Sequence, residues 1–264
     1  MQRIISEPVP RDGWGRPKID GTAYTRASTL ASTFDDGYNL GRWKARMTAL
    51  GISRSPELIG LAATATEDDW ALLNDVAERA MDRAGGSRGR DIGTTVHSVS
   101  EMLDYGESTA GISQEILADG KAYQRCCQEL GLTPVLAEQF VVNKTLKAAG
   151  TFDRLLTDGD EYFIADLKTG GANKTAENAA KWSGLAWSIQ TATYAWGRPW
   201  ANGSYRKWDE LGVRTPSKER ALILFIPRGS GICFPIWIDI VVGRQAARLA
   251  SKVRAIKSET VVLK

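Results

Sequence analysis

The chain has 264 residues, 43% hydrophobic and 25% charged, which suits one globular unit of moderate size with a small appended subdomain and excludes a fibrous or wholly disordered chain. A net charge of +3 decides nothing about polyanionic partners, so a nucleic-acid surface would have to come from local clusters of Lys and Arg. No apolar run approaches the roughly 20 residues a membrane helix requires, and the opening MQRIISEPVPRDGWGRPK lacks the apolar core of a signal peptide, so no membrane partner is expected and the default address is a cytoplasm.

In chain order, residues 1–20, rich in Pro, Gly and charge, read as an extended arm. Residues 21–90 read as a helical lobe. Gly51 follows a helix-like run from Tyr38, Ser55-Pro56-Glu57 is an N-cap with Pro at the first helical position, and Thr66 with Asp69 resembles a capping box. GGSRGR at 85–90 reads as a flexible basic hinge carrying Arg88 and Arg90. Residues 91–264 read as an α/β core. Its helices fall at 94–105, 113–130, 177–196 and 243–257; its strands fall at 135–143, 150–156, 161–169, 221–227 and 232–242. Residues 197–220 read as a long polar loop. The order implies a mixed central sheet flanked by helices.

Three cysteines, Cys126 and Cys127 adjacent and Cys233 distant, fit neither a disulfide framework nor a four-ligand metal site, and read as reduced packing residues. Five of the nine tryptophans (Trp182, Trp187, Trp196, Trp200, Trp208) fall in one stretch beside Lys181, Arg198, Arg206 and Lys207. Aromatics interleaved with cations stack bases and hold phosphates; large aromatics also fill cores and loops, and the pattern alone favours the core.

The second and third core strands flank TDGDE, where Asp158-Gly159 is a two-residue hairpin signal. That turn sets Asp153 across from Ile164 with Asp166 its diagonal neighbour, about 7 Å away by Cβ; a four-residue loop would set the two aspartates directly opposite. Lys168 lies two residues beyond Asp166 and points the same way, so two carboxylates and an ammonium converge on one side. Such oxygen ligands suit Mg²⁺ or Mn²⁺, while a cross-strand salt bridge on a surface hairpin would use the same residues. Apolar neighbours around Asp166 in FIADLK favour the metal, because an embedded acid needs a partner.

Five short motifs then stand in order: GTTVH (93–97), AEQF with Glu138, GTFD (150–153), DLKTG (166–170) and QTATY (190–194). Together they resemble the RecB-type branch of the PD-(D/E)XK nucleases, over about residues 26–195. The resemblance implies a restriction-endonuclease-like core, with metal held by His97, Asp153, Asp166 and the backbone carbonyl of Leu167, and with Lys168 catalytic. It places Glu138 beside the metal, and Gln190 and Tyr194 on one helix face toward the DNA backbone or the lysine. His97 is the sole histidine; an imidazole among carboxylates favours Mn²⁺ over Mg²⁺. TRAST (25–29) resembles the segment with which related exonucleases bind a terminal phosphate, making Arg26 and Ser28 candidates, although a helix N-cap explains the segment equally. Arg88, Arg90, Lys181 and Trp182 are further DNA-binding candidates.

The four cysteines that hold an iron–sulfur cluster in some RecB-type nucleases are missing, so no cluster is expected. The spacing of TGGANKT (169–175) does not match an ATP-binding P-loop. A separate helicase or recombinase would therefore be a partner. The chain is similar to stand-alone phage exonucleases, which would place it in a host cytoplasm. The expected function is DNA exonuclease activity in recombination, repair or degradation; the alternatives are an endonuclease or structure-specific nuclease on the same core, and a nucleic-acid-binding module without catalysis.

Overall fold

The computed structural model describes residues 8–171 and 174–258, apart from the side chain of Arg90. Within it, residues 35–95 form one compact unit and residues 8–34 with 96–258 another. The expected arm is not loose where it is described. Strands β1 (Lys18–Ile19) and β2 (Thr22–Ala23) form a tiny hairpin whose turn, Asp20-Gly21, takes positive φ at both residues (49° and 76°), a geometry that Asp-Gly tolerates. Ile19 is buried against Phe140, Val142, Ala149 and Trp200. Strand β3 (Thr25–Arg26) pairs in parallel with Ala148 and Ala149 and leads into the short helix α1 (Ala27–Ala31), so residues 21–34 fold with the larger unit and not with the helical lobe.

The smaller unit holds α2 (Tyr38–Ser53), α3 (Pro56–Thr64) and α4 (Trp70–Arg83), packed around Leu58, Val76 and Ala80. A Cβ at Gly51 would overlap the Ala80 backbone, so only glycine lets α2 and α4 approach this closely. Pro56 opens α3 as expected, but the Ser55 hydroxyl makes no capping bond. Asp69 stands at the N-cap position of α4 without a capping bond to the helix; its carboxylate accepts the Thr66 N–H and hydroxyl instead (2.8 and 2.9 Å). Helix α5 (Arg88–Tyr105) runs unbroken from within the expected hinge, which shrinks to the turn around Gly85 (φ 78°).

The larger unit continues with α6 (Gln114–Glu129), β4 (Thr133–Asn143), β5 (Ala148–Thr157), β6 (Tyr162–Gly170) and α7 (Ala176–Ala195). It closes with β7 (Arg198–Ala201), β8 (Ser204–Tyr205), β9 (Arg220–Pro227), β10 (Phe234–Asp239) and α8 (Ile240–Lys257). Among the described residues the main sheet has the order β10-β9-β6-β5-β4-β7-β8, with β3 added to β5. The β6–β9 and β3–β5 pairs are parallel and the rest antiparallel, so the sheet is mixed, and helices flank it. Strand β9 is buried from Ala221 through Pro227, as an inner strand covered by helices must be. Thr175 caps α7, whose apolar residues pack over Leu155, Ile164 and Phe225.

Three expectations need correction. The stretch 197–220 is not one loop: β7 and β8 extend the sheet beside β4, and Trp200 and Trp208 are buried there. The last strand stops at Asp239, whose Oδ1 accepts the N–H groups of Val241 and Val242 and so starts α8 at Ile240. The β5–β6 register, Arg154 facing Ala165 through Thr157 facing Tyr162, leaves a four-residue loop and not a two-residue turn. Asp158 Oδ1 accepts the N–H groups of Asp160 and Glu161 and holds that wider loop. This register sets Asp153 opposite Asp166.

Candidate metal centre and catalytic cluster

Three elements of the larger unit converge on Asp153. Its Oδ2 lies 3.4 Å from His97 Nδ1 on α5 and accepts the Leu167 N–H from β6 at 2.7 Å. A strand residue sends its N–H and C=O toward the same neighbour, so the Leu167 carbonyl also leaves toward β5. Glu138 on β4 completes a group: His97, Glu138 and Asp153 each present one donor atom, all within 4.8 Å of one another. One imidazole nitrogen and two carboxylate oxygens at this spacing fit a hard or borderline divalent cation.

Glu138 sits at φ 50° in the middle of a strand, while its neighbours keep their pairing, Ala137 with Arg154 and Gln139 with Phe152. A left-handed residue other than glycine costs about 1–2 kcal/mol. The strain occurs at the residue whose carboxylate joins His97 and Asp153, as functional strain often does.

Next to this group lies a second one. Lys168 Nζ meets Asp166 Oδ2 at 2.5 Å and Gln190 Oε1 at 3.2 Å. Gln190 Nε2 donates to Asp166 Oδ1 (3.3 Å) and to the Tyr194 hydroxyl oxygen (3.2 Å). Gln190 and Tyr194 are one turn apart on α7, which is why both reach the same strand. Gly150 has a steric role here, because a Cβ would come within 3.2 Å of the Tyr194 oxygen and of Ala27 Cβ. A Cβ at Gly170 would press into the Phe225 ring.

Burial would raise Asp153, but the hydrogen bond and charge of His97, the charge of Lys168 and the Leu167 N–H hold its carboxyl below the usual range. Asp166 is pushed up to about 6 by burial and by Asp153, against the pull of Lys168. Glu138 is pushed up to about 7 by burial and by the charges of Asp153 and Glu101, with Arg154 and His97 opposing. Burial disfavours the charged forms of His97 and Lys168, yet the surrounding carboxylates win and raise both. Burial holds the Tyr194 phenol well above its ordinary value, so it stays protonated. Two acids that resist ionisation beside a cationic lysine are what a cluster of carboxylates able to hold a cation should show.

The structure thus gathers His97, Glu138, Asp153, Asp166, Leu167, Lys168, Gln190 and Tyr194. It groups Glu138, and not Asp166, with His97 and Asp153 as the tightest donor set. Arg26 is exposed with its Nε on Thr29 Oγ1 (3.3 Å), and Ser28 is exposed on α1. Arg88 starts α5 within the smaller unit, and the side chain of Arg90 lies outside the described residues. Lys181 and Trp182 are exposed on α7, but Lys181 is nine residues before Gln190, about half a turn round the helix, and projects away from the cluster.

Sequence reasoning missed Arg154. Its side chain is fully buried, with Nε on Asp104 Oδ2 (2.5 Å), Nη1 on the Asp153 carbonyl (2.7 Å) and Nη1 3.6 Å from Glu138 Oε1. An arginine set between Asp153 and the apolar Leu155 and Leu156 was the available signal; nothing in the sequence marked its partners Asp104 and Tyr123.

A family model for the PD-(D/E)XK nuclease superfamily matches residues 54–198. No curated protein matches the chain. No described helix is long and apolar enough to cross a membrane.

Proposed function

Because the chain belongs to the PD-(D/E)XK nuclease superfamily, the match covering more than half its length, we propose that it is a metal-dependent DNA exonuclease that hydrolyses phosphodiester bonds inward from DNA ends. The observation that carries this reading is the adjacency of the His97–Glu138–Asp153 donor set to the Asp166–Lys168–Gln190 group.

His97, Glu138 and Asp153 would hold the cation, with Asp166 and the Leu167 carbonyl as the next oxygens at hand. A bound Mg²⁺ or Mn²⁺ supplies Lewis acidity and lowers the pKa of water, and the imidazole favours Mn²⁺. Lys168, raised and therefore cationic, stabilises negative charge as it grows on the scissile phosphate. Gln190 fixes the lysine and Asp166 at once, and Tyr194 fixes Gln190. The order of the five motifs, like that of RecB-type and stand-alone phage exonucleases, supports the preference for ends. The roles that suit such an enzyme are recombination, repair or DNA degradation, with any unwinding left to a separate helicase or recombinase.

The test is time-resolved digestion of linear and covalently closed circular DNA of the same sequence with Mn²⁺, Mg²⁺ or EDTA. Progressive loss of linear DNA with circles spared is expected, and no loss in EDTA. Circles cut as fast as linear DNA would make the protein an endonuclease on the same core; no cleavage in either metal would leave a binding module.

A further inference from the structure

We propose that the open cavity formed by β7 and the segment after β8 is a second binding site for nucleic-acid phosphates, separate from the metal cluster. The proposal rests on the reading of nucleic acid as the substrate.

The cavity holds about 630 Å³ and is lined by Arg198, Arg206, Lys207, Arg214, Trp208 and Thr215, with Asp209 and Val213. Four cations thus face one acid around a volume within the roughly 300–1,000 Å³ of ordinary ligand pockets. Arg198, Lys207 and Arg214 are exposed. Arg206 faces Glu210 at 3.8 Å, a separation at which a surface pair contributes little; among the described residues neither Arg198 nor Lys207 forms an ion pair.

Two of the guanidinium groups are held in place. Arg198 lies over the Tyr205 ring at 5.6 Å, and Arg214 over the Tyr162 ring at 5.4 Å with Nη2 on the Gly159 carbonyl at 2.8 Å. A guanidinium stacked on a ring loses less freedom when a phosphate arrives, and its planar fork of donors matches phosphate oxygens. Trp208 supplies a rigid floor, being buried and packed on the Phe152 ring at 6.1 Å.

The floor connects the cavity to the reaction centre. Phe152 immediately precedes Asp153, and Arg198 pairs with Val142, four residues along β4 from Glu138, or about 13 Å of strand. The cavity and the metal donors are thus borne by the same two strands, β4 and β5. Isolated surface cations would not gather round one cavity over an aromatic floor.

The experiment measures binding of a fluorescein-labelled single-stranded oligonucleotide by anisotropy in EDTA, where no cleavage occurs, over a range of salt concentrations. Removing two phosphate contacts in Arg198→Gln/Lys207→Gln should flatten the slope of log K against log salt by about 1.4, at about 0.7 per contact on a single strand. Arg214→Gln should flatten it by about half as much. An equal-charge control, Lys121→Gln/Lys252→Gln on exposed faces of α6 and α8, should leave the slope as in the wild type. Thermal melts confirm that each variant is folded. A slope that is unchanged in the cavity variants, or equally flattened in the control, overturns the proposal. Wild-type protein that binds in EDTA but leaves linear DNA intact in Mn²⁺ and Mg²⁺ would refute the nuclease reading alone and leave the cavity standing.

Discussion

Replacing Arg154 by methionine tests how the two strands that carry Glu138 and Asp153 are held. The change keeps most of the side-chain length and removes the charge. Arg154 and Asp104 are both buried, with 0% and 2% of their side chains exposed, and the Tyr123 hydroxyl donates to both Asp104 oxygens at 3.0 Å. Arg154→Met leaves Asp104 buried with only that neutral donor, a loss worth about 3–5 kcal/mol for a broken buried pair. At about 2–4 °C per kcal/mol for a chain of this size, the melting temperature should fall by about 6–20 °C. Circular dichroism melts of Arg154→Met, Asp104→Asn and the double variant give the coupling directly, and the double variant should lose less than the sum of the singles by about 1–3 kcal/mol. Arg154→Lys should recover little, since one ammonium cannot serve Asp104 and the Asp153 carbonyl together. A melt of Arg154→Met within about 2 °C of the wild type, or strictly additive singles, would refute the reasoning.

Asp166→Ala or Lys168→Ala should reduce cleavage by at least about 10²-fold while the fold is kept, because charge stabilisation in the transition state is lost; strong cleavage by a folded Asp166→Ala protein would remove Asp166 from the site. His97→Ala should weaken Mn²⁺ binding in calorimetry more than it weakens DNA binding in EDTA, and an unchanged Mn²⁺ affinity would return His97 to a packing role. Protons compete with metal at Asp166 and Glu138, held at about 6 and about 7, so Mn²⁺ affinity should climb to neutral pH and level off above it, and Glu138→Gln should lose the upper part of the climb. The same raised values stabilise the metal-free fold at acid pH, below the unfolded-state values, and that contribution disappears as pH rises through 6 to 7; stability constant across this window would contradict them.

Much of the core was legible because its signals are local. Alternation and turn residues mark β4, β5 and β6, and Pro56 stands at N1 of α3 as its position implies, whereas Gly51, read as following the helix from Tyr38, lies inside α2, where its missing Cβ admits the Ala80 backbone. The misses share a cause, namely that partners distant in sequence decided the outcome. Residues 25–26 read as helical but pair with Ala148 and Ala149 of β5, far along the chain. The stretch 197–220 is polar, yet Arg198 and Pro199 find β4 to pair with, and Trp208 finds the Phe152 ring. The hairpin turn was misjudged on its strongest dipeptide. Asp158-Gly159 does turn, but the Asp158 carboxylate captures two further amides and widens the loop, which moves the register by one pair of residues.

That register governs the site. With Asp153 and Asp166 directly opposite, both carboxylates cannot relax into the same partner. Asp153 takes the Leu167 amide and His97, whereas Asp166 takes Lys168 and Gln190. On β4, Glu138 stands directly opposite Asp153 in the register and brings a second carboxylate to it. It does so from a left-handed backbone, with a cost in strain and in a carboxylate that resists ionisation. Neither cost is repaid by any contact Glu138 makes with Arg154 at 3.6 Å, a separation longer than a hydrogen bond. A cation bound between His97, Glu138 and Asp153 would offset both, since it favours the ionised carboxylate and rewards the strained backbone that delivers it.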